Sequence, residues 1–219
     1  MLQVKDRTPR SGCRYFCSIL FNDPFSANYE AGSRWVIRLH NVGDNLKISI
    51  RNALENDINE IMLIEQGSFH ANIVESRDVF LDRIRIFPQG FLVLEIGNLV
   101  VGYICSELWE HSEDIPAGNF RLNHTITEVH RNDGTQLYIS SLGILQEHRK
   151  KGYGKKLFSE LEKRAIAECR ISSMVLVVSV RWGAAIRIYE KHGFREIQRI
   201  KYFFDDSARS DAIVMRKQL

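Results

Sequence analysis

From residue 46 onward the apolar positions of this chain keep two periods, and before it they keep neither. Residues 46–52 (LKISIRN) alternate, with Leu46, Ile48 and Ile50 on one side, which predicts a strand. After Asn56-Asp57 the apolar residues Ile58, Ile61, Met62 and Ile64 predict a helix ending near Gly67. Ser76 is placed to cap a second helix with the stripe Phe80, Leu81, Ile84 and Phe87, and Pro88 stops it. Residues 90–96 and 99–107 read as strands joined by a Gly97-Asn98 hairpin turn. A polar stretch with Pro116 and Gly118 then runs to Gly134 as a long connection, a place for substrate specificity.

The pattern is sharpest at 137–166. LYISSLGI is an apolar run rich in β-branched and aromatic residues; the basic turn RKKGYG follows at 149–154. Leu157, Phe158, Leu161 and Ala165 then recur as one helix face. Residues 174–180 (MVLVVSV) suit a strand covered on both faces. Residues 183–191 read as a short helix stopped by Gly193, and 195–204 and 212–215 as two last strands. Residues 1–44, broken by Pro9, Pro24 and three glycines, predict a poorly ordered or loosely docked extension ahead of a domain at 45–219.

A strand, a two-glycine turn and a helix together make an anion cradle. The first amides of a helix have no intrahelical partner, and the helix dipole adds partial positive charge there. Gly152 and Gly154 allow close backbone approach, and Arg149, Lys150, Lys151, Lys155 and Lys156 surround the spot with formal charge. A pyrophosphate is the ligand such a turn suits. The dinucleotide fingerprint G-x-G-x-x-G fails at Leu157, and the Walker spacing between glycines is missing.

Composition narrows the class. At 219 residues, 44% hydrophobic and 26% charged, the chain is long enough for one globular domain with a sizeable core. A net charge of +3 is too mild to argue for nucleic acid or an anionic membrane. The four cysteines (Cys13, Cys17, Cys105 and Cys169) show no ligand pairing with histidine, so no metal is expected and free thiols in a reducing cytoplasm are. No apolar run is long enough to span a bilayer, and no signal peptide is evident.

Arg149-x-x-Gly152-x-Gly154 after Leu142-Gly143-Ile144 resembles the Q/R-x-x-G-x-G/A acetyl-CoA signature of the GCN5-related N-acetyltransferase (GNAT) superfamily. Ala185-Ile186-x-x-Tyr189-Glu190-Lys191-x-Gly193-Phe194 resembles that family's second motif. The resemblance covers roughly 46–217 and implies an α/β (α+β) fold with a mixed, mostly antiparallel sheet and splayed central strands flanked by helices. It implies acetyl-CoA as co-substrate, with Leu142, Gly143 and Ile144 on the pantetheine arm. Arg149, Lys150, Lys151, Gly152, Tyr153, Gly154 and Lys155 would hold the pyrophosphate. Tyr189 would protonate the departing thiolate, and a backbone N–H near 142–144 would serve the oxyanion.

Within the family, LYISSLGI and the tail Arg199-x-Lys201-Tyr202-Phe203 look most like the protein Nα-terminal acetyltransferases, including the ribosomal-protein-alanine branch. That likeness implies Phe69, Tyr202 and Phe203 as walls of a peptide groove and Tyr138 as a water-linked base. Two positions depart from the family pattern. Val177 stands where Glu or His is common on the fifth strand, and Trp182 where Asn is common seven residues before the tyrosine. The base is then Tyr138, Glu65 or a histidine of the long connection, His124 or His130. The resulting expectation is transfer of acetyl to a peptide N-terminus by direct attack in a ternary complex, by a monomer or homodimer. A small amine is the alternative acceptor. A non-catalytic acyl-CoA sensor is the alternative class, and a nucleic-acid binder a more distant one.

Overall fold

A computed structural model describes residues 47–206 and 208–219. The expected extension at 1–44 lies outside the described residues, as do Cys13 and Cys17. The chain opens with β1 Ile48–Asn52, a 3-10 turn at Glu55–Asp57, α1 Ile58–Ser68 and α2 Arg77–Ile86. Next come β2 Phe91–Ile96, β3 Leu99–Trp109, the short α3 Ile126–Val129 and β4 Gln136–Ile144. The last elements are α4 Tyr153–Cys169, β5 Ser173–Ser179, α5 Gly183–Lys191, β6 Arg195–Ile200 and β7 Ala212–Gln218. The Ser76 hydroxyl accepts the Val79 N–H (3.5 Å) as the cap of α2.

The seven strands form one sheet in the order β1-β2-β3-β4-β5-β7-β6. Every neighbouring pair is antiparallel except β4 and β5, which run parallel. That parallel pairing covers only Gln136–Ile139 against Ser173–Leu176. On its other side β4 stays paired with β3 as far as Ile144. Residues 140–144 therefore have a strand on one edge and none on the other. The register shifts where the separation begins: Cys105 faces Ser141 and Ser106 faces Ile139, leaving Ser140 as the extra residue of a bulge. A bulge bends and twists its strand, which steers the end of β4 away from β5.

The two faces of the sheet are covered differently. Leu157, Phe158, Leu161 and Ala165 of α4 pack on Leu137, Ile139, Met174 and Leu176. On the opposite face Ile58, Ile61 and Ile64 of α1 and Phe80 and Ile84 of α2 meet Phe91, Val93 and Tyr103. Full burial of side chains this size contributes roughly 1.5–3 kcal/mol each. Gly143 permits the approach of α1 to β4. A Cβ there would lie 2.7 Å from Tyr103 Cε1 and 2.8 Å from Ile64 Cγ2.

Several expected boundaries are corrected. The strand expected at 195–204 stops at Ile200, because Tyr202 is left-handed (φ 53) and its N–H bonds to the Asp211 carboxylate (2.9 Å). The last strand continues past Met215 to Gln218. The long connection is held down by its own apolar residues: Ile115, Phe120 and Ile126 are buried, and α3 lies within it. Among the described residues no helix is long and apolar enough to cross a membrane.

Candidate active site

Gly152 caps α4 with φ 80, a left-handed conformation natural to glycine, and a Cβ there would meet nothing within 4 Å. The Lys156 N–H closes the first turn onto the Gly152 carbonyl (3.1 Å), so the amides of Tyr153, Gly154 and Lys155 precede the helical ladder. A Cβ on Gly154 would sit 3.5 Å from Leu142 Cδ2 and 3.9 Å from Ile144 Cγ1. The head of α4 therefore rests directly on the unpaired part of β4, and the two predicted cofactor segments come together. Lys150, Lys151 and Lys155 are exposed around them.

Arg149, expected at the pyrophosphate, also joins the end of β4 to α1. Its guanidinium is committed to the Ile144 carbonyl (2.9 Å), the Gly67 carbonyl (2.7 Å) and the Ser68 hydroxyl (3.2 Å). Carbonyls in the last turn of a helix lack intrahelical partners, and Arg149 supplies one while tying α1 to the end of β4.

A cavity of about 50 Å³ opens between β4 and β5 on the α1 face. Phe69, Ile73, Leu122, Trp182, Phe203 and Phe204 form its apolar walls. Phe69 lies against Trp182, with ring centroids 5.8 Å apart. Val177 lines it from β5, and Glu65, Glu75, Tyr138, Ser140 and Ser141 form its polar end. Of the aromatic pair expected here, Phe203 takes part and Tyr202 does not line the cavity. Tyr202 is 68% exposed, with the Arg209 guanidinium 5.7 Å over its ring.

Tyr138 is buried against Trp109 (4.2 Å between centroids) and Phe120, and desolvation pushes its hydroxyl well above its ordinary value. A phenol so raised stays protonated at neutral pH. Tyr189 packs on the α4 face against Phe158 (6.2 Å) and Phe194 (5.9 Å). Desolvation pushes its hydroxyl up to about 12, so it too is a proton donor rather than an acceptor.

Two buried carboxylates, Glu65 and Glu107, lie beside β4. Glu65, one of several possible bases, is 1% exposed in α1, and desolvation pushes it up to about 7. Glu107 lies on β3 opposite Tyr138. It bonds Arg83 Nε (2.9 Å), His124 Nε2 (2.9 Å) and Trp109 Nε1 (3.1 Å). Arg83 also grips Glu75, which takes Asn123 N–H (3.2 Å). His124 is thus a buried anchor of the long connection, and His130 bonds the Leu108 N–H (3.2 Å); neither lines the cavity. An acidic residue inside an apolar strand and an arginine beside a helical stripe were the available signals for this network.

The acetyltransferase (GNAT) family matches residues 57–194. The chain belongs to that family. It is an acetyl-CoA-dependent acyltransferase with the mixed seven-stranded acyl-CoA N-acyltransferase fold. An N-alpha-acetyltransferase of Sulfurisphaera tokodaii is 26% identical over 171 residues, which span 78% of this chain and 92% of that protein. Arabidopsis thaliana Naa50, solved with the bisubstrate analogue CoA-Ac-MVNAL, superposes with a TM-score of 0.60 at 18% identity, covering 78% of this chain and 99% of that one. The loading GNATL domain of CurA from Lyngbya majuscula superposes with a TM-score of 0.68 at 14% identity, covering 78% and 98%.

Proposed function

We propose that this chain transfers the acetyl group of acetyl-CoA to the N-terminal amine of a protein or peptide, by direct attack in a ternary complex. The observation that carries this reading is the gap at 140–144. A thioester lying along the free edge of β4 would have the α4 amides at its phosphate end and the aromatic cavity at its acyl end. Leu142, Gly143 and Ile144 offer backbone groups to the pantetheine. The amides of 153–155, with Gly152, Lys150, Lys151 and Lys155, offer the anion cradle.

The chemistry follows from the side chains around the gap. The amine nitrogen attacks the thioester carbonyl, a backbone N–H of the free β4 edge stabilises the oxyanion, and Tyr189 protonates the sulfur as the C–S bond breaks. The apolar walls Phe69, Ile73, Leu122 and Phe203 suit the first side chain of a peptide. The aromatic and apolar lining leads up to a polar end with two carboxylates, which favours a cationic amine over an anionic acceptor. The Sulfurisphaera tokodaii relative supports a protein N-terminus as the acceptor.

The test is incubation with acetyl-CoA and panels of peptides and small amines, following thiol release and mapping the acetylated atom. Acetylation of peptides at their first residue is expected. Activity confined to small amines, or binding of acetyl-CoA without turnover, overturns the reading.

A further inference from the structure

The attacking amine must lose a proton, and both tyrosines singled out near the gap hold theirs at neutral pH. We propose that Glu65 is the general base of the transfer, held at the inner end of the acceptor cavity by Tyr103 and Ser141 as positioning residues. The inference rests on the acceptor reading above and adds the residue that activates the amine.

Glu65 is the buried acid of the cavity that meets hydroxyls and an amide. One oxygen accepts the Glu75 N–H (3.1 Å); the other accepts the Tyr103 hydroxyl and, at 3.4 Å, the Ser141 hydroxyl. Tyr103 and Ser141 are themselves 2.7 Å apart. The groups facing Glu65 are Glu75 from the connection after α1, Tyr103 and Cys105 from β3, and Tyr138 from β4. The buried cation Arg83 is engaged by Glu75 and Glu107. No salt bridge to Glu65 forms among the described residues, so its carboxylate lacks the neutralising partner that Glu107 has. Burial, reinforced by the charge of Glu75, raises Glu65 to about 7, while the hydrogen bonds from Tyr103, the Glu75 amide and Ser141 oppose that rise. An α-amino group near 8 is well matched to such a base.

The proton balance closes. The acceptor ammonium gives one proton to the Glu65 carboxylate, directly or through the Ser141 hydroxyl, and becomes a neutral amine. Its lone pair forms the C–N bond, the C–S bond breaks, and the sulfur takes the Tyr189 proton. The nitrogen sheds a second proton as the amide forms, which restores Tyr189. Glu65 returns its own proton to water.

The experiment pairs two readouts on the full chain. Carbon-13 detection follows the glutamate side-chain carboxyls through pH, with Glu65 assigned by its loss in Glu65→Gln. Steady-state rates are measured with acetyl-CoA and a synthetic peptide beginning Met-Val-Asn-Ala-Leu. The Glu65 carboxyl is expected to titrate near 7, and kcat/KM of the wild type to rise through the same pH. Glu65→Gln is expected to lower kcat by about 10²–10⁴-fold with acetyl-CoA affinity kept, and to abolish the limb. Tyr103→Phe removes a hydrogen bond to the charged carboxylate and is expected to move the limb to higher pH. A Glu65 carboxyl titrating in the ordinary range overturns the assignment, as does a folded Glu65→Gln chain with unchanged kcat or an unchanged limb. A peptide left unacetylated by the wild type counts against the acceptor reading instead, and the carboxyl titration then decides Glu65 alone.

Discussion

The two ends of β4 have been built for opposite purposes. At Gln136–Ile139 the strand is paired on both edges, and the buried acid beside it, Glu107, meets Arg83, His124 and Trp109. Burial alone would raise Glu107, but the His124 hydrogen bond and the Arg83 charge outweigh it and hold the carboxyl below its ordinary value. At 140–144 one edge is free, and the acid there, Glu65, has hydroxyls and an amide for company. Exposure is 0% and 1%, so burial does not separate them; the presence of a cation does. A neutralised acid fixes the fold, and an unneutralised one beside a cavity is left able to exchange a proton.

Arg83→Met attacks the closed end and carries the largest expected effect. It strips the cation from two buried carboxylates, Glu75 and Glu107, and is expected to cost about 3–5 kcal/mol in urea unfolding. A loss under about 1 kcal/mol would erase the contrast between the ends. Tyr189→Phe sharpens the other side. kcat should fall roughly 10²-fold, about 2.7 kcal/mol of barrier, while calorimetric acetyl-CoA affinity and the unfolding midpoint stay at wild-type values. Gly152→Ala is smaller still. Its φ of 80 makes a side chain costly by about 1–2 kcal/mol, and weaker acetyl-CoA binding should accompany that loss with the Arg83 network unperturbed.

The open end was the more legible of the two, because its signal is local. A strand, a left-handed glycine and a helix follow one another within 136–169, so periodicity and glycine placement reveal them without tertiary knowledge. Glu65, Tyr103 and Ser141 come from α1, β3 and β4, separated by 38 and 76 positions, and no spacing rule connects them. Arg83 sits beside the apolar stripe of α2, where a charged residue reads as solvated; only the two acids brought by the connection and β3 make its burial tolerable. Arg149 fits the motif, and its guanidinium also reaches the Gly67 carbonyl and Ser68 hydroxyl at the end of α1. At 195–204 a run of β-formers was overridden by a single turn, the left-handed Tyr202 anchored by Asp211. At Glu65 and Arg83 the outcome was set by partners far away in the chain, and at Tyr202 by a local turn.

Amide-resolved hydrogen exchange, with and without acetyl-CoA, reports on both ends of β4 at once. Addition of acetyl-CoA should slow exchange at amides of the free β4 edge within 140–144 and at 153–155, and leave 136–139, already paired on both edges, unchanged. Protection appearing elsewhere, with 140–144 and the head of α4 exchanging as before, would mean that the gap beside β4 does not hold the thioester.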